Sequence, residues 1–485
     1  MWRRFFLLWF CLPVVPLAGQ ITSQSEPALT IYNGNFAVVR ERLPLDMKAG
    51  VNSVQFTGVT AQLEPESVML RDPEGKRSLQ ILEQNYRGDP VTSTLLLSLY
   101  EGKTIDFVTN YPDRVQTVRG KVIRSGYVPP GAGNNYQPGA SEPIIEVDGK
   151  LMFSLPGQPV FPELIGDTVL KPTLNWQLQV DKPGAFTAEL GYVTNGMSWK
   201  ADYNLVAAET GDVLDLIGWV TISNRTGKVF ENAKIRLMAG DVNKIQPPGT
   251  GAGRAVGVYA MAAAAPAVTE KSFDEFHLYT LERPTTLHDH ETKQVEFVRA
   301  ADVSAKRIYV YDGLQNVPRG YLVADNASYG TQSNTKVWVV QEFKNSKQNH
   351  LGIALPKGRL RFYRRDSDGS LQFVGENEID HTPADEIIRV QTGNAFDIVG
   401  ERKRVDFQVK KDQNCANESF EIHVRNHKKE AVEVRAVEHL YRWNNWEVIS
   451  ESEKHLKTDA QTMEYWITIP PDGEKTVTYT VHYTW

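Results

Sequence analysis

A chain of 485 residues with 41% hydrophobic and 23% charged residues is composed like an ordinary globular protein and has core volume for two to four domains. Its formal net charge of −6, with no basic stripe anywhere, argues against nucleic acid as a partner. The first twenty residues read as an export leader: Arg3-Arg4, an apolar run over 5–15, then Pro16-Leu17-Ala18-Gly19 as a small-residue exit. That run is too short to anchor the chain stably. Losing Arg3 and Arg4 with the leader takes the charge from −6 to −8. Gln20 stands where a lipid-anchored chain would carry Cys, so the expectation is an exported, unanchored protein, periplasmic or extracellular. Cys11 leaves with the leader and Cys415 remains alone, so no intramolecular disulfide forms and the core must hold the fold. Cys415 lies in the polar stretch 412–417 and reads as an incidental thiol rather than a nucleophile.

Strand signals begin at 28–32 and 36–40, joined through Asn33-Gly34-Asn35, and continue at 51–56, 67–70 and 79–83 with Gly and Pro punctuation. Residues 96–164 carry tighter runs at 103–108, 116–125, 144–147 and 151–155, which predicts a small inserted barrel-like unit. Inside it, 128–139 is rich in Pro, Gly and Asn and reads as an exposed connector. The clearest pattern lies at 186–239. Phe186, Ala188, Leu190 and Tyr192 alternate with polar residues, as do Trp199, Ala201, Tyr203 and Leu205, and Thr194-Asn195-Gly196 supplies a turn between them. Two further strands follow at 213–223 and 233–239. Trp199, Tyr203 and Trp219 read as core packing in preference to a ligand platform.

Residues 247–272, with Pro247-Pro248-Gly249 and an alanine run at 262–265, read as a low-complexity linker; no Lys-Ser/Thr follows to make a phosphate loop. Strands resume at 337–343, then at 359–364 and 371–374 around a polar turn, and again at 420–424 and 431–438. Three times, at Asn224, Asn345 and Asn426, a strand ends in Asn, a short polar turn follows, and another strand begins. The fold class is therefore all-β: tandem immunoglobulin-like β-sandwich domains with a small inserted barrel-like unit. The expected division is 28–95 with 165–246 as the N-terminal sandwich, 96–164 as the insert, 273–400 as a middle sandwich and 401–485 as the C-terminal one.

Asp366-x-Asp368-Gly369 opens like a calcium loop, but Asn377 stands at the twelfth position where a bidentate Glu belongs, so a hairpin turn is expected. His288-Asp289-His290-Glu291 pairs two imidazoles with two carboxylates and lacks a third ligand. No metal and no cofactor is expected. Asp380, His381 and Glu386, with Glu376, Asp397 and Arg402 nearby in sequence, form the densest group of titratable residues and are the catalytic candidates. A hydrogen-bonded turn is the preferred reading, since no Gly-x-Ser-x-Gly signature exists. The C-terminal run 477–485 alternates and ends on Trp485, which keeps a membrane barrel strand as an alternative to a closing sandwich strand.

Gly196-Met197-Ser198-Trp199-Lys200-Ala201-Asp202-Tyr203, Gly218-Trp219-Val220-Thr221-Ile222-Ser223-Asn224, Ala239-Gly240-Asp241-Val242, Leu355-Pro356-Lys357-Gly358, Asp380-His381-Thr382-Pro383 and Asn426-His427-Lys428, in that order, resemble the bacterial exported proteins of domain of unknown function 4139. The resemblance implies export and a β-rich fold and brings no activity. The function expected is a non-enzymatic envelope module, binding or structural, whose partner is an envelope protein or surface polysaccharide. The alternative is a hydrolase using Asp380, His381 and Glu386.

Overall fold

A computed structural model describes residues 20–21, 26–88, 91–128, 142–164, 170–240, 242–244, 268–314, 324–331 and 333–485. Positions 1–19 of the expected leader, most of the 128–139 connector and residues 247–267 of the expected linker lie outside them. Among the described residues the chain is built of β-sheets, and Ser93–Leu99 is the one α-helix. The chain divides into two compact units. The first comprises 1–198, 223–236 and 283–292; the second comprises 199–222, 237–282 and 293–485.

In the first unit, Phe36–Met47 runs antiparallel to Gly184–Asn195 along its whole length, flanked by Ala28–Tyr32 and Met69–Arg71. Period-two alternation buries Val39, Leu43, Leu45, Ala188, Leu190 and Tyr192, as the pleat requires. A second sheet has the order Gln20–Ile21, Gly50–Thr57, Thr173–Val180, Leu79–Arg87. One of its faces buries Val54, Phe56, Leu174, Trp176, Leu178 and Val180.

The insert differs from the barrel-like expectation. Its five strands, Lys150–Met152, Ile144–Val147, Val115–Arg124, Thr104–Asn110 and Gln158–Val160, form one open sheet in that order. The two outermost strands are three residues each and pair with a single neighbour, too short an edge to close a barrel. The helix covers the apolar face instead. Thr92 Oγ1 accepts the Leu95 N–H and caps it, and Leu96, Leu97 and Tyr100 pack with Ile105, Phe107, Val122 and Ile145.

The second unit holds a five-stranded sheet of order Thr292–Ser304, Val213–Asn224, Met197–Ala207, Gly358–Arg365, Leu371–Ile379. Met197–Ala207 runs parallel to Gly358–Arg365, so the expected hairpin at 194–196 does not form. Gly196, at φ +80°, instead carries the chain from one sheet to another, and a Cβ there would collide with the Arg225 carbonyl. Trp199 and Tyr203 are core residues: Trp199 Nε1 donates to Met238 O at 3.2 Å and Tyr203 OH to Pro356 O at 2.6 Å, and their rings meet Tyr279 and Phe297. Trp219 lies on the opposite face, half-buried.

Nine strands make the other sheet of this unit, in the order Trp446–Glu451, Gly473–Thr484, Cys415–Asn426, Ile387–Lys410, Lys336–Lys344, Lys306–Asp312, Val432–His439, Thr462–Ile469, Leu456–Lys457. It folds over a core of Tyr309, Val337, Phe420, Ile422, Val434, Tyr465, Val477, Tyr479 and Val481, among others. The expected boundary at 400/401 falls inside the 24-residue strand Ile387–Lys410, and the 273–400 and 401–485 regions share this sheet. The last five residues of the expected linker are strand, within Val268–Phe273. The C-terminal run closes the sandwich: Gly473–Thr484 pairs with Cys415–Asn426 on one side and Trp446–Glu451 on the other, and Trp485 packs against the core.

The Asn repetition has one physical cause. Asn224, Asn345 and Asn426 are each at most 1% exposed. Asn224 Nδ2 donates to the carbonyls of Lys228 and His288, Asn345 Nδ2 to those of Ile353 and Pro383, and Asn426 Nδ2 to those of Glu430 and Pro470. In each, Oδ1 accepts a backbone N–H from the turn. One amide thus satisfies the buried backbone groups where strands end.

Candidate binding face

The catalytic candidates lie around the turn between Leu371–Ile379 and Ile387–Lys410. Asp380 is exposed, and its Oδ1 accepts the His381 N–H at 2.9 Å. His381 Nδ1 accepts the Lys357 N–H at 3.2 Å. Glu386 is exposed, and its backbone carbonyl accepts the Asn345 N–H. Arg402 lies elsewhere in the sandwich, 5% exposed. Asp366 and Asp368 serve a hairpin turn, where hydrogen bonding from the Ser370 side chain, and then from the Ser370 N–H to Asp368 Oδ1, draws the Asp368 carboxyl below the usual range. Glu291 Oε2 accepts the His288 N–H, and Asp289 binds both His290 Nδ1 and the Gly227 N–H. Among the described residues no group of three or more His, Cys, Asp or Glu is placed to hold a metal ion.

Sequence reading missed two constellations. The first is a buried ionic network in the nine-stranded sheet. Arg402 Nε donates to both Glu438 oxygens at 2.9 and 2.8 Å, Tyr479 OH donates to Glu438 Oε2 at 2.5 Å, and the guanidinium lies 3.9 Å from the Phe420 ring centre. Arg442 makes a fork to Glu418 at 2.8 and 2.6 Å, and Arg404 reaches the same carboxylate at 3.3 Å. The three arginines also grip the carbonyls of Ala327, Tyr329 and Gly330. Desolvation by itself lowers the Arg402 pKa, and the Glu438 charge with its hydrogen bonds more than reverses this. Burial holds the Tyr479 and Tyr483 phenols well above their usual pKa. The free space beside the network is about 10 Å³, the room of a single water. It is a structural staple.

The second constellation is a groove of about 220 Å³ on the polar face of the four-stranded sheet, lined by Ser53, Gln55, Glu83, Asn85, Asn175 and Gln177. The register places them in two rows across three strands. Asn175 stands between Gln55 and Asn85, and Gln177 between Ser53 and Glu83. Trp176, buried beneath, donates from Nε1 to Gln84 Oε1 at 2.8 Å and pins the floor. Within the grid, Ser53 Oγ donates to Gln177 Oε1 at 3.0 Å and Asn85 Nδ2 to Glu83 Oε1 at 2.8 Å. In sequence these residues are the polar half of ordinary alternation, and positions 55 and 175 lie too far apart to be read together. The one available signal was the run of amides on alternate positions, Asn175, Gln177 and Gln179.

Fold and face together define an all-β, multi-sheet protein with a shallow polar groove. Over residues 188–485 the chain matches the family described as Domain of unknown function (DUF4139), and it belongs to that family. No curated protein matches it. The groove, spanning residues 53–177, precedes the matched segment.

Proposed function

We propose that this protein is an exported, non-enzymatic binding module of the bacterial envelope, which holds an envelope polysaccharide or protein on the polar face of its four-stranded sheet. The observation that carries the reading is the grid of six polar side chains around an open groove. Hydrogen-bonding side chains on rigid strands are pre-ordered to recognise a ligand without reacting with it. Export rests on the leader at 1–20. The hydrolase alternative has less support, because Asp380 Oδ1 accepts the His381 N–H within the turn and His381 Nδ1 is occupied by the Lys357 N–H from a distant segment of the chain.

The test uses cells making the untagged full-length chain, fractionated into cytoplasm, periplasm, membrane and medium. Recovery outside the cytoplasm is expected, with equal retention on envelope material by the wild type and the Asp380→Asn/His381→Asn/Glu386→Gln variant. Cytoplasmic recovery overturns export. Breakdown of envelope polymer by the wild type and not by the variant overturns the non-enzymatic reading.

A further inference from the structure

We infer that the groove takes a neutral, hydroxyl-rich chain, namely an uncharged saccharide segment about the size of a disaccharide. This rests on the binding-module reading above and names the ligand class of the same site.

The register fixes the shape of the surface. Two steps between strands and one two-residue step along them give a grid of about 10 Å by 7 Å. The row Asn85–Asn175–Gln55 is entirely amide; the row Glu83–Gln177–Ser53 has one carboxylate, one amide and one hydroxyl. Each amide carries two donors and an acceptor, the complement a sugar hydroxyl needs because it donates and accepts at once. Among the described residues the side-chain amides of Gln55 and Asn175, adjacent in one row, make no hydrogen bond. The Gln177 amide N–H groups are likewise unspent, its oxygen being taken by Ser53. These groups are half-buried and open to solvent, so ligand hydroxyls replace solvent with little desolvation cost.

Charge selects against the other polymers. The six residues include no cation, and Glu83 contributes the one charge, so an anionic chain meets repulsion with no counter-charge in the grid. A peptide bound by its side chains would need apolar pockets, whereas the large apolar side chain lining the groove, Trp176, is 2% exposed. Among the described residues lining the groove none offers an exposed aromatic ring, so recognition runs through hydroxyl edges rather than ring stacking.

The test is calorimetric titration of the full-length protein with oligosaccharides released from the bacterial envelope, separated into neutral and uronate-bearing pools. Saturable binding to the neutral pool is expected, with at least a tenfold loss in Gln55→Ala/Asn85→Ala and a larger loss in Asn175→Ala. Asn85 is exposed on an edge strand, so the single variant Asn85→Ala serves if the others unfold, and thermal melts report folding for each. Binding to the neutral pool that survives all the folded variants overturns the groove assignment and leaves the module reading standing. Preference for the uronate pool overturns the ligand class. Binding to neither pool, with cross-linking of a protein partner in whole cells that Asn85→Ala weakens, overturns the saccharide inference in favour of a protein ligand. Binding to neither pool and no cross-linked partner overturns both.

Discussion

Removing the Glu438 carboxylate is expected to cost more stability than any surface change. Arg402 and Glu438 have side chains 2% and 1% exposed, so neither charge can be relieved by water. In Glu438→Ala the guanidinium loses both Nε contacts and the Tyr479 hydroxyl loses its acceptor. The Gly330 carbonyl and the Phe420 face remain as partners. An unpaired buried charge of this kind costs roughly 3–5 kcal/mol, against a total stability of about 5–15 kcal/mol for a domain. In a unit of this size the melting temperature falls by about 10 °C. Urea unfolding measures the change directly, and the double variant Arg402→Met/Glu438→Leu provides the control. Replacing both partners by apolar groups removes the unpaired charge and is expected to restore most of the loss. A loss under about 1 kcal/mol in Glu438→Ala would refute the reasoning. So would a double variant as unstable as the sum of its singles, since the pair would then be uncoupled.

Each of Asn224→Ala, Asn345→Ala and Asn426→Ala strands at least two partly buried carbonyls. A loss of about 2–3 kcal/mol apiece by chemical denaturation is expected, and a neutral result at any one site removes it from the shared device. Gly375→Ala places a methyl against the Thr392 carbonyl; about 1–3 kcal/mol is expected from displaced backbone, and an unchanged unfolding midpoint contradicts it. Burial raises Tyr86 and Tyr311 to about 12 and holds Tyr203, Tyr479 and Tyr483 well above the usual phenol range. The unfolded chain releases these protons near pH 10 and the folded chain holds them, so their stabilisation is complete below pH 10 and falls as pH rises from 10 through 12. Phenolate absorbance during alkaline titration is expected to show these tyrosines ionising together with unfolding, whereas smooth titration in a folded protein contradicts their burial.

Local alternation was sufficient to place most strands. Trp199, Ala201, Tyr203 and Leu205 are buried on the face that their period predicts, and 359–364 pairs with 371–374 across the polar turn as expected. The Asn motif was visible as a repetition, and its chemistry became clear only once the receiving carbonyls, up to 64 residues away, came within reach. Pairing was the part that alternation does not encode. A strand with a sound hydrophobic face reads the same whether its neighbour lies beyond a three-residue turn or beyond 150 residues, as Met197–Ala207 against Gly358–Arg365 demonstrates. The titratable cluster at 380–386 drew attention through density along the chain, although proximity in sequence does not make side chains converge.

The sequence by itself determined an all-β chain, the buried face of most strands, and turns such as those after Asn224, Asn345 and Asn426, because these follow from side-chain period and backbone sterics within a few residues. Tertiary structure alone decided which polar residues act together. Gln55, Asn85 and Asn175 became one row, and Arg402 met Glu438, because sheet register and core packing join residues by hydrogen bonds that carry no trace in local composition.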